Sequence, residues 1–265
     1  MDATFYDKRV SEKVPTSDNP EMISLVDRIE RWCRVTEGSR VLDFGCYDGY
    51  VLRKLLSRKR IRGIGLDISP AAVRLAQRLG NGQALEFVVS DGLPIPFPTA
   101  SFDVVICSEI LEHVADFGRI VGEISRVLAP GGRLYATMPN SLKDVWGPLQ
   151  PLCRRVDEVE GHVRRMTLKE FVGAVTSNGY VVARAQYRGF ILSAIWYRNV
   201  IYRPRVKEAG GRLLSGKESF IRDLATNTAH TAMHLYMAGD RPFARYRGCM
   251  SIDAAFIRAA TQSVA

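Results

Sequence analysis

"VLDFGCYDGY", residues 41–50, decides how the rest of the chain is read. Val41, Leu42 and Phe44 form the short apolar run of a buried strand, Gly45 and Gly49 punctuate a turn, and Val51, Leu52, Leu55 and Leu56 follow at helical spacing. The stretch reads strand, glycine turn, helix. Tyr47 occupies a place where many nucleotide-binding loops carry a glycine. A tyrosine suits the turn if its φ is negative and its side chain leaves the loop.

Outward from this unit the pattern alternates. Apolar runs at 40–44, 62–67, 85–90, 102–108 and 132–137 are separated by helical segments or turns, which predicts a parallel sheet flanked by helices. "SPAAVRLAQRLG" (69–80) supplies a helix with Ser69 as N-cap, Pro70 at the first position and Gly80 as its stop. "DFGRIVGEISRVLAPGG" (116–132) supplies another, with Ile120, Ile124, Val127 and Leu128 on one face and Pro130-Gly131-Gly132 ending it. An amphipathic helix over 20–34 leads into the sheet. A capped helix from Thr167, a strand at 180–188 and a last strand at 250–260 follow it. The interval near 191–248 is too long for a hairpin loop and reads as a mainly helical insertion. The expected organisation is a helical cap over 1–37, a core over 38–190, the insertion over 191–248, and the last strand with the C-terminus over 249–265.

Composition narrows the class. A hydrophobic content of 46% with 25% charged residues is that of a globular protein, not a disordered one. "FILSAIWY" (190–197) is far short of the roughly 18 residues that span a bilayer, and residues 1–15 lack the apolar core of a secretion signal. Cys33, Cys46, Cys107, Cys153 and Cys249 are odd in number and spread along the chain, which argues against a disulfide framework and for a cytoplasmic setting. The net charge of +9 favours an anionic partner without choosing among membrane surface, nucleic acid and acidic substrate. Basic residues gather at 53–62 and from Arg188 to Lys217, and both clusters also read as solvated faces.

In an open parallel sheet a ligand binds outside the carboxyl ends of the strands, where strand order reverses. Asp43 and Gly45, Asp67, Asp91, and Ser108 with Glu109 fall at such ends. A carboxylate about 20 residues after a glycine turn is placed to hold a ribose diol. Gly45 and Gly49 stand without the middle glycine of a dinucleotide loop, and the flanking Asp43 and Asp48 would repel a pyrophosphate. The loop suits a cationic nucleoside better.

Together "VLDFGCYDG", "GIGLDIS", "VVSDGLPIPFPTASFDVVICSEILEHV" and "EISRVLAPGGRLYATMPN" resemble the class I methyltransferases that use S-adenosylmethionine (SAM), in particular the ubiquinone and menaquinone branch. The resemblance covers residues 38–185. It implies an α/β, Rossmann-like fold: a seven-stranded, mostly parallel sheet with helices on both faces and a helical insertion before the last strand. It implies that Asp43, Gly45, Cys46, Tyr47 and Gly49 line the methionine half of SAM, with Tyr47 departing from the usual glycine. Asp67 then holds the ribose, Ile68 packs on adenine, Asp91 and Gly92 reach the adenine amine, and Ser108 and Glu109 border the methionyl part.

The SAM sulfonium is already an electrophile, so the protein must orient a nucleophile, exclude water and accept a proton. Glu112, His113 and His162 are the expected catalytic side chains; His162 precedes a helix where related enzymes place a substrate-side loop. In similar ubiquinone-pathway enzymes a Glu-x-x-Glu-His group is associated with a divalent metal. Glu109, Glu112 and His113 are therefore the alternative to a metal-free site, and the metal-free site is the expectation. His230 and His234 lie four apart and read as an ordinary helix face. The stretch "CSEIL" lacks the Asn/Asp-Pro-Pro pattern of amine or amide methylation, and Cys107 lies inside an apolar strand where a nucleophilic thiol is not accessible.

The expected function is methylation of a small, apolar or lipid-like acceptor, at oxygen. C-methylation of a quinone and methylation of a glycan or natural product keep every motif. A nucleic-acid enzyme, not expected, and a non-catalytic module with Tyr47 filling the site are the alternatives from other classes. Aromatic and basic residues interleave over 188–207, which suits, in order, a lid over an apolar pocket, peripheral contact with an anionic membrane, and a homodimer contact. Phe5 and Tyr6 are read as part of a segment folding over the cofactor.

Overall fold

The computed structural model describes residues 3–12, 15–16, 18–80, 84–189, 245–246 and 248–260. The chain runs α1 (Ala3–Glu12), α2 (Pro20–Trp32), β1 (Arg40–Phe44), α3 (Tyr50–Arg58), β2 (Arg62–Asp67), α4 (Pro70–Gly80), β3 (Leu85–Val89) and β4 (Phe102–Cys107). It continues with α5 (Phe117–Val127), β5 (Leu128–Pro139), α6 (Gln150–Glu160), α7 (Leu168–Thr176), β6 (Tyr180–Arg188) and β7 (Ser251–Arg258). The seven strands form one sheet in the order β3-β2-β1-β4-β5-β7-β6. Neighbours among β1 to β5 are parallel, and β7 runs antiparallel to both β5 and β6. The expected seven-stranded, mostly parallel sheet is present, and its order reverses between β1 and β4.

Alternation along the central strands explains the layers. Val41, Val104, Ile106 and Tyr135 face one side with Val26, Ile29, Leu52, Leu55, Val73 and Ala76 of α2, α3 and α4. Leu42, Val105, Cys107, Leu134 and Ala136 face the other with Ile120, Ile124, Phe171 and Val175 of α5 and α7. Strands buried on both faces must be apolar throughout, which is why they read as continuous runs. Caps fix the helix starts: Asn19 Oδ1 accepts from Met22 N–H at 2.9 Å, and Thr167 with Glu170 forms a reciprocal capping box.

Several boundaries differ from expectation. Pro130-Gly131-Gly132 does not simply end a helix: β5 begins at Leu128, pairs with Phe102, and resumes at Arg133 opposite Val104, so the glycines lie in an irregularity of the strand. α1 and α6 are helices that the periodicity did not announce. The insertion over 191–248, with His230 and His234, lies outside the described residues except at Arg245, Tyr246 and Gly248. β6 runs in the direction of β5, so the chain leaves β6 and enters β7 at the same sheet end where β1, β2 and β4 finish. Among the described residues no helix is long and apolar enough to cross a membrane, and all five cysteines are buried free thiols.

Candidate active site

The turn after β1 is tied to the end of β2: Gly45 N–H and Cys46 N–H both donate to Leu66 C=O, at 2.8 and 2.9 Å. Gly45 (φ +85°) has no room for a side chain, since a Cβ would come within 2.0 Å of Ile110 Cδ1. Gly49 (φ +73°) is equally confined, its Cβ position lying 2.5 Å from Phe87 Cε1. Tyr47 corrects the sequence expectation, because its φ is +48° and not negative. A left-handed non-glycine residue costs about 1–2 kcal/mol, and here Tyr47 N–H gains a 2.8 Å bond to Asp67 Oδ2. Cys46 contributes its backbone to the turn. Its thiol packs into the core, occupying the space a Cβ on Gly65 would need.

Three carboxylates converge here. Asp43 is buried, and burial followed by the charges of Asp67 and Asp48 pushes its pKa up to about 7. Asp48, 1% exposed, accepts from Tyr50 N–H at 3.1 Å and from Thr16 N–H at 2.5 Å. Asp67 accepts from Tyr47 N–H through Oδ2 and from Ser69 N–H at 2.9 Å through Oδ1, while burial raises its pKa. Such a cradle favours a cation. Ile68 is half-buried beside it, Asp91 is exposed past β3, and Gly92 (φ +97°) packs under Phe44.

The fourth corner lies past β4. Ser108 is half-buried, and Glu109 adopts φ +57°, secured by Glu109 N–H donating to Thr137 Oγ1 at 2.8 Å. Glu109 Oε1 accepts from Thr137 Oγ1 at 3.0 Å and from Arg188 Nη2 at 2.9 Å. Arg188 also pairs with Glu21 (2.6 Å) and with the fully buried Asp253 (3.0 Å), and Asp253 lies 2.9 Å from Arg28 Nε. Glu109 is thus bound to a network and not to the neighbouring histidine.

Glu112 is fully buried, and neither carboxyl oxygen meets a hydrogen-bond partner among the described residues. Burial first, then the Glu109 charge, holds it well above the usual carboxylate range. Beside it the His113 and His162 rings lie edge to face, 5.1 Å between centroids. His162 is brought there by the stretch after α6, which is fastened to 111–115: Val163 N–H donates to Glu112 C=O at 2.9 Å, and Arg164 donates to the carbonyls of Leu111, Val114 and Ala115. Asp157 holds His162 Nδ1 at 2.8 Å and is itself paired with Arg165 at 2.7 Å. Burial, then His162, lowers the pKa of His113. Ligand atoms of Glu112, His113 and His162 lie within 4.8 Å of one another. This trio differs from the alternative metal group that the sequence offered beside the expected metal-free site, Glu109, Glu112 and His113: His162 stands in the place of Glu109. Asp157, Arg164, Arg165 and Arg188 were missed by sequence reasoning. The spacing of Asp157 and His162 across the helix-ending Gly161 was the available local signal.

A doubly wound sheet with a glycine turn at its switch point, an acid ending β2 and a polar cluster past β4 defines the Rossmann-like fold of class I SAM-dependent methyltransferases. Residues 42–136 match the family described as Methyltransferase domain. Over 141 residues the chain is 34% identical to the chloroplastic tocopherol O-methyltransferase of Arabidopsis thaliana, covering 49% of this chain and 40% of the relative. Over 137 residues it is 32% identical to the ubiquinone biosynthesis O-methyltransferase of Pseudomonas fluorescens (strain SBW25), covering 50% and 56%. The chain spans about half the length of these curated relatives. The phosphoethanolamine N-methyltransferase 2 of Haemonchus contortus, solved in complex with SAM, superposes with a TM-score of 0.62 at 17% identity, covering 89% of this chain and 52% of that one. At that identity the likeness is one of fold.

Proposed function

We propose that the chain is a SAM-dependent methyltransferase that methylates an oxygen of a small, apolar or lipid-like acceptor. The observation that carries this reading is the pairing, across the switch point, of an acid cradle on β1 and β2 with a half-buried imidazole pair, His113 past β4 and His162 packed on it. SAM supplies an electrophilic methyl group on a cationic sulfur, and its ribose and ammonium groups match Asp67 and the acids beside it. The backbone of Gly45 to Gly49 forms the wall against which the methionyl part lies, and the bare Cα of Gly45 leaves room there for Ile110.

The chain's own groups then have definite tasks. His113 has a lowered pKa, so it is neutral at neutral pH and able to take the acceptor's hydroxyl proton. Its Nδ1, buried and without a hydrogen-bond partner among the described residues, is the receiving atom. Bound SAM would give its methyl group to that oxygen and leave as the neutral thioether, so the proton on His113 is the only charge the chain must accommodate. Asp157 fixes His162, which packs against His113 and holds its ring in place. Burial disfavours the ionised form of Glu112, so the base is assigned to His113 and not to it.

The named O-methyltransferase relatives support oxygen as the acceptor atom. The buried thiols support a reducing, cytoplasmic setting, and the charge of +9 supports peripheral encounter with an anionic membrane. A second reading is favoured by the cluster itself: a divalent cation on Glu112, His113 and His162, with Asp157 behind His162 in the manner of a carboxylate that orients a metal-binding imidazole.

The test follows methyl label from SAM after incubation of the protein with cell extract, separated into organic, aqueous and macromolecular fractions, with and without chelator. Label in the organic fraction that survives chelation is expected. Label lost on chelation and restored by Mg2+ or Zn2+ would install the metal reading, and label in the macromolecular fraction would overturn the acceptor.

Asp43 makes this reading sensitive to pH. Its ionised form attracts the sulfonium and ammonium of SAM, so SAM affinity is expected to rise by up to about tenfold between pH 6 and 8, as the carboxyl ionises through about 7. Stability of the unliganded fold runs the other way. A carboxyl whose pKa is raised by folding stabilises at low pH and loses that contribution as pH climbs through the folded value. Calorimetric titration of SAM into the wild type and Asp43→Asn checks this; an equal slope in both would remove Asp43 from the cradle.

A further inference from the structure

We propose that Asp7 and Tyr6 complete the site from α1: Asp7 is a positioning residue that clasps the cofactor side, and Tyr6 walls the acceptor side. This assignment rests on SAM binding at the mouth of β1 and β2. Asp7 Oδ1 accepts from Ser69 Oγ and from Ala71 N–H, the latter at 3.1 Å, so its carboxylate caps the start of α4 two residues after Asp67. The adjacent Tyr6 places its ring edge to face on His113, 6.2 Å between centroids.

Topology turns these two contacts into a closure. Ser69 follows β2 and His113 follows β4, and the sheet order sets β1 between those strands. Adjacent strands lie about 4.8 Å apart, so the ends of β2 and β4 from which these two segments depart stand roughly 10 Å apart with β1 between them. One turn of α1 therefore crosses the end of β1, where the Gly45–Gly49 turn opens. The chain that follows is fastened to the same turn: Thr16 N–H donates to Asp48, and Asp18 accepts from Tyr50 Oη at 2.9 Å and from Lys54 Nζ at 2.7 Å. A ligand held by Asp67 cannot leave over the top of β1 until these bonds part, and the same helix sets the wall against which an acceptor meets His113.

The probe is S-adenosylhomocysteine (SAH), with dissociation measured by displacement of labelled SAH from the full-length protein and hydrogen exchange followed over 3–12. SAH is expected to slow exchange of the α1 amides. Asp7→Ala and Tyr6→Ala are each expected to speed SAH dissociation about fivefold. Asp7→Asn, which keeps an accepting oxygen, and Tyr6→Phe, which keeps the ring, should stay within about twofold of the wild type. Both residues are on a surface helix, so unchanged melting curves separate a clasp from a folding role. A wild type that binds SAH with α1 exchange unchanged, and with both alanine variants releasing it at the wild-type rate, would overturn the assignment. A wild type that binds no SAH would instead remove the functional reading, and this one with it.

Discussion

Asp67→Ala is expected to weaken binding of both SAM and SAH by about 100-fold while leaving the protein folded. Hydrogen bonds to an ionised group contribute roughly 1.5–3 kcal/mol each, and a ribose diol offers two hydroxyls to the one carboxylate. Allowing for rearranged water, about 2.7 kcal/mol, or two decades in Kd, is the reasonable loss. The fold should tolerate the change because burial already raises this carboxyl's pKa, so its ionised form is held at some cost in the empty protein. What the fold loses is the pair of bonds from Tyr47 N–H and Ser69 N–H, at the turn alone. Titration calorimetry with SAH decides it, and Asp67→Asn should fall between the two. Equal affinity in Asp67→Ala would mean that the ribose lies elsewhere and that the β2 carboxylate is structural.

The largest expected effect on stability lies beneath the site. Asp253 sits in β7, hydrogen-bonded into the sheet between β5 and β6, with Thr137 and Gln186 as its register partners. Its oxygens face Arg28 and Arg188, the first of them buried with it. Alanine would leave the Arg28 charge in the interior with, among the described residues, only Tyr135 Oη and Ser24 Oγ to meet it. Breaking one side of a buried pair typically costs about 3–5 kcal/mol, because the remaining charge is stranded. Asp253→Ala should therefore lower the urea midpoint by a large fraction of a typical domain's stability. Asp253→Asn, which keeps an accepting oxygen, should lose less. A loss under about 1 kcal/mol would show that water reaches Arg28.

The two predictions differ in how far the sequence foretold them. Asp67 was legible because the features that mark it are local: a buried strand, a glycine turn, and an acid at the end of the next strand, all within one strand-helix-strand unit. The Asp253 network was not, because Arg28, Arg188 and Asp253 come from three distant segments, and each reads alone as an ordinary surface charge. The same reason hid the partnership of His113 and His162. The latter could be suspected of serving the site, but only the folding of 161–165 onto 111–115 shows that it displaces Glu109 from the histidine cluster. Tyr47 is a local miss of another kind. Propensity disfavours a left-handed tyrosine, and the compensating bond comes from Asp67, which local rules do not see. α1 left a trace in Phe5 and Tyr6, but its placement depends on Ser69 and His113, far along the chain.

The junction of β6 and β7 has a consequence for how such a protein can diversify. Arg188 and Ser251 are register partners, and Met250 N–H donates to Gly189 C=O at 2.9 Å, so the two ends of the intervening chain are held side by side. Asn140 reinforces the return end through Cys249 C=O, and Arg188 braces the outgoing one against three acids. Once a loop's ends are pinned this closely, each doubling of its length costs only about 0.6 kcal/mol in closure entropy. Residues can be gained, lost or exchanged between these two posts without disturbing the register of the sheet or the cradle on β1 and β2. Under the proposed function, this is one address at which acceptor preference can change while the β1 and β2 cradle for the cofactor stays as it is.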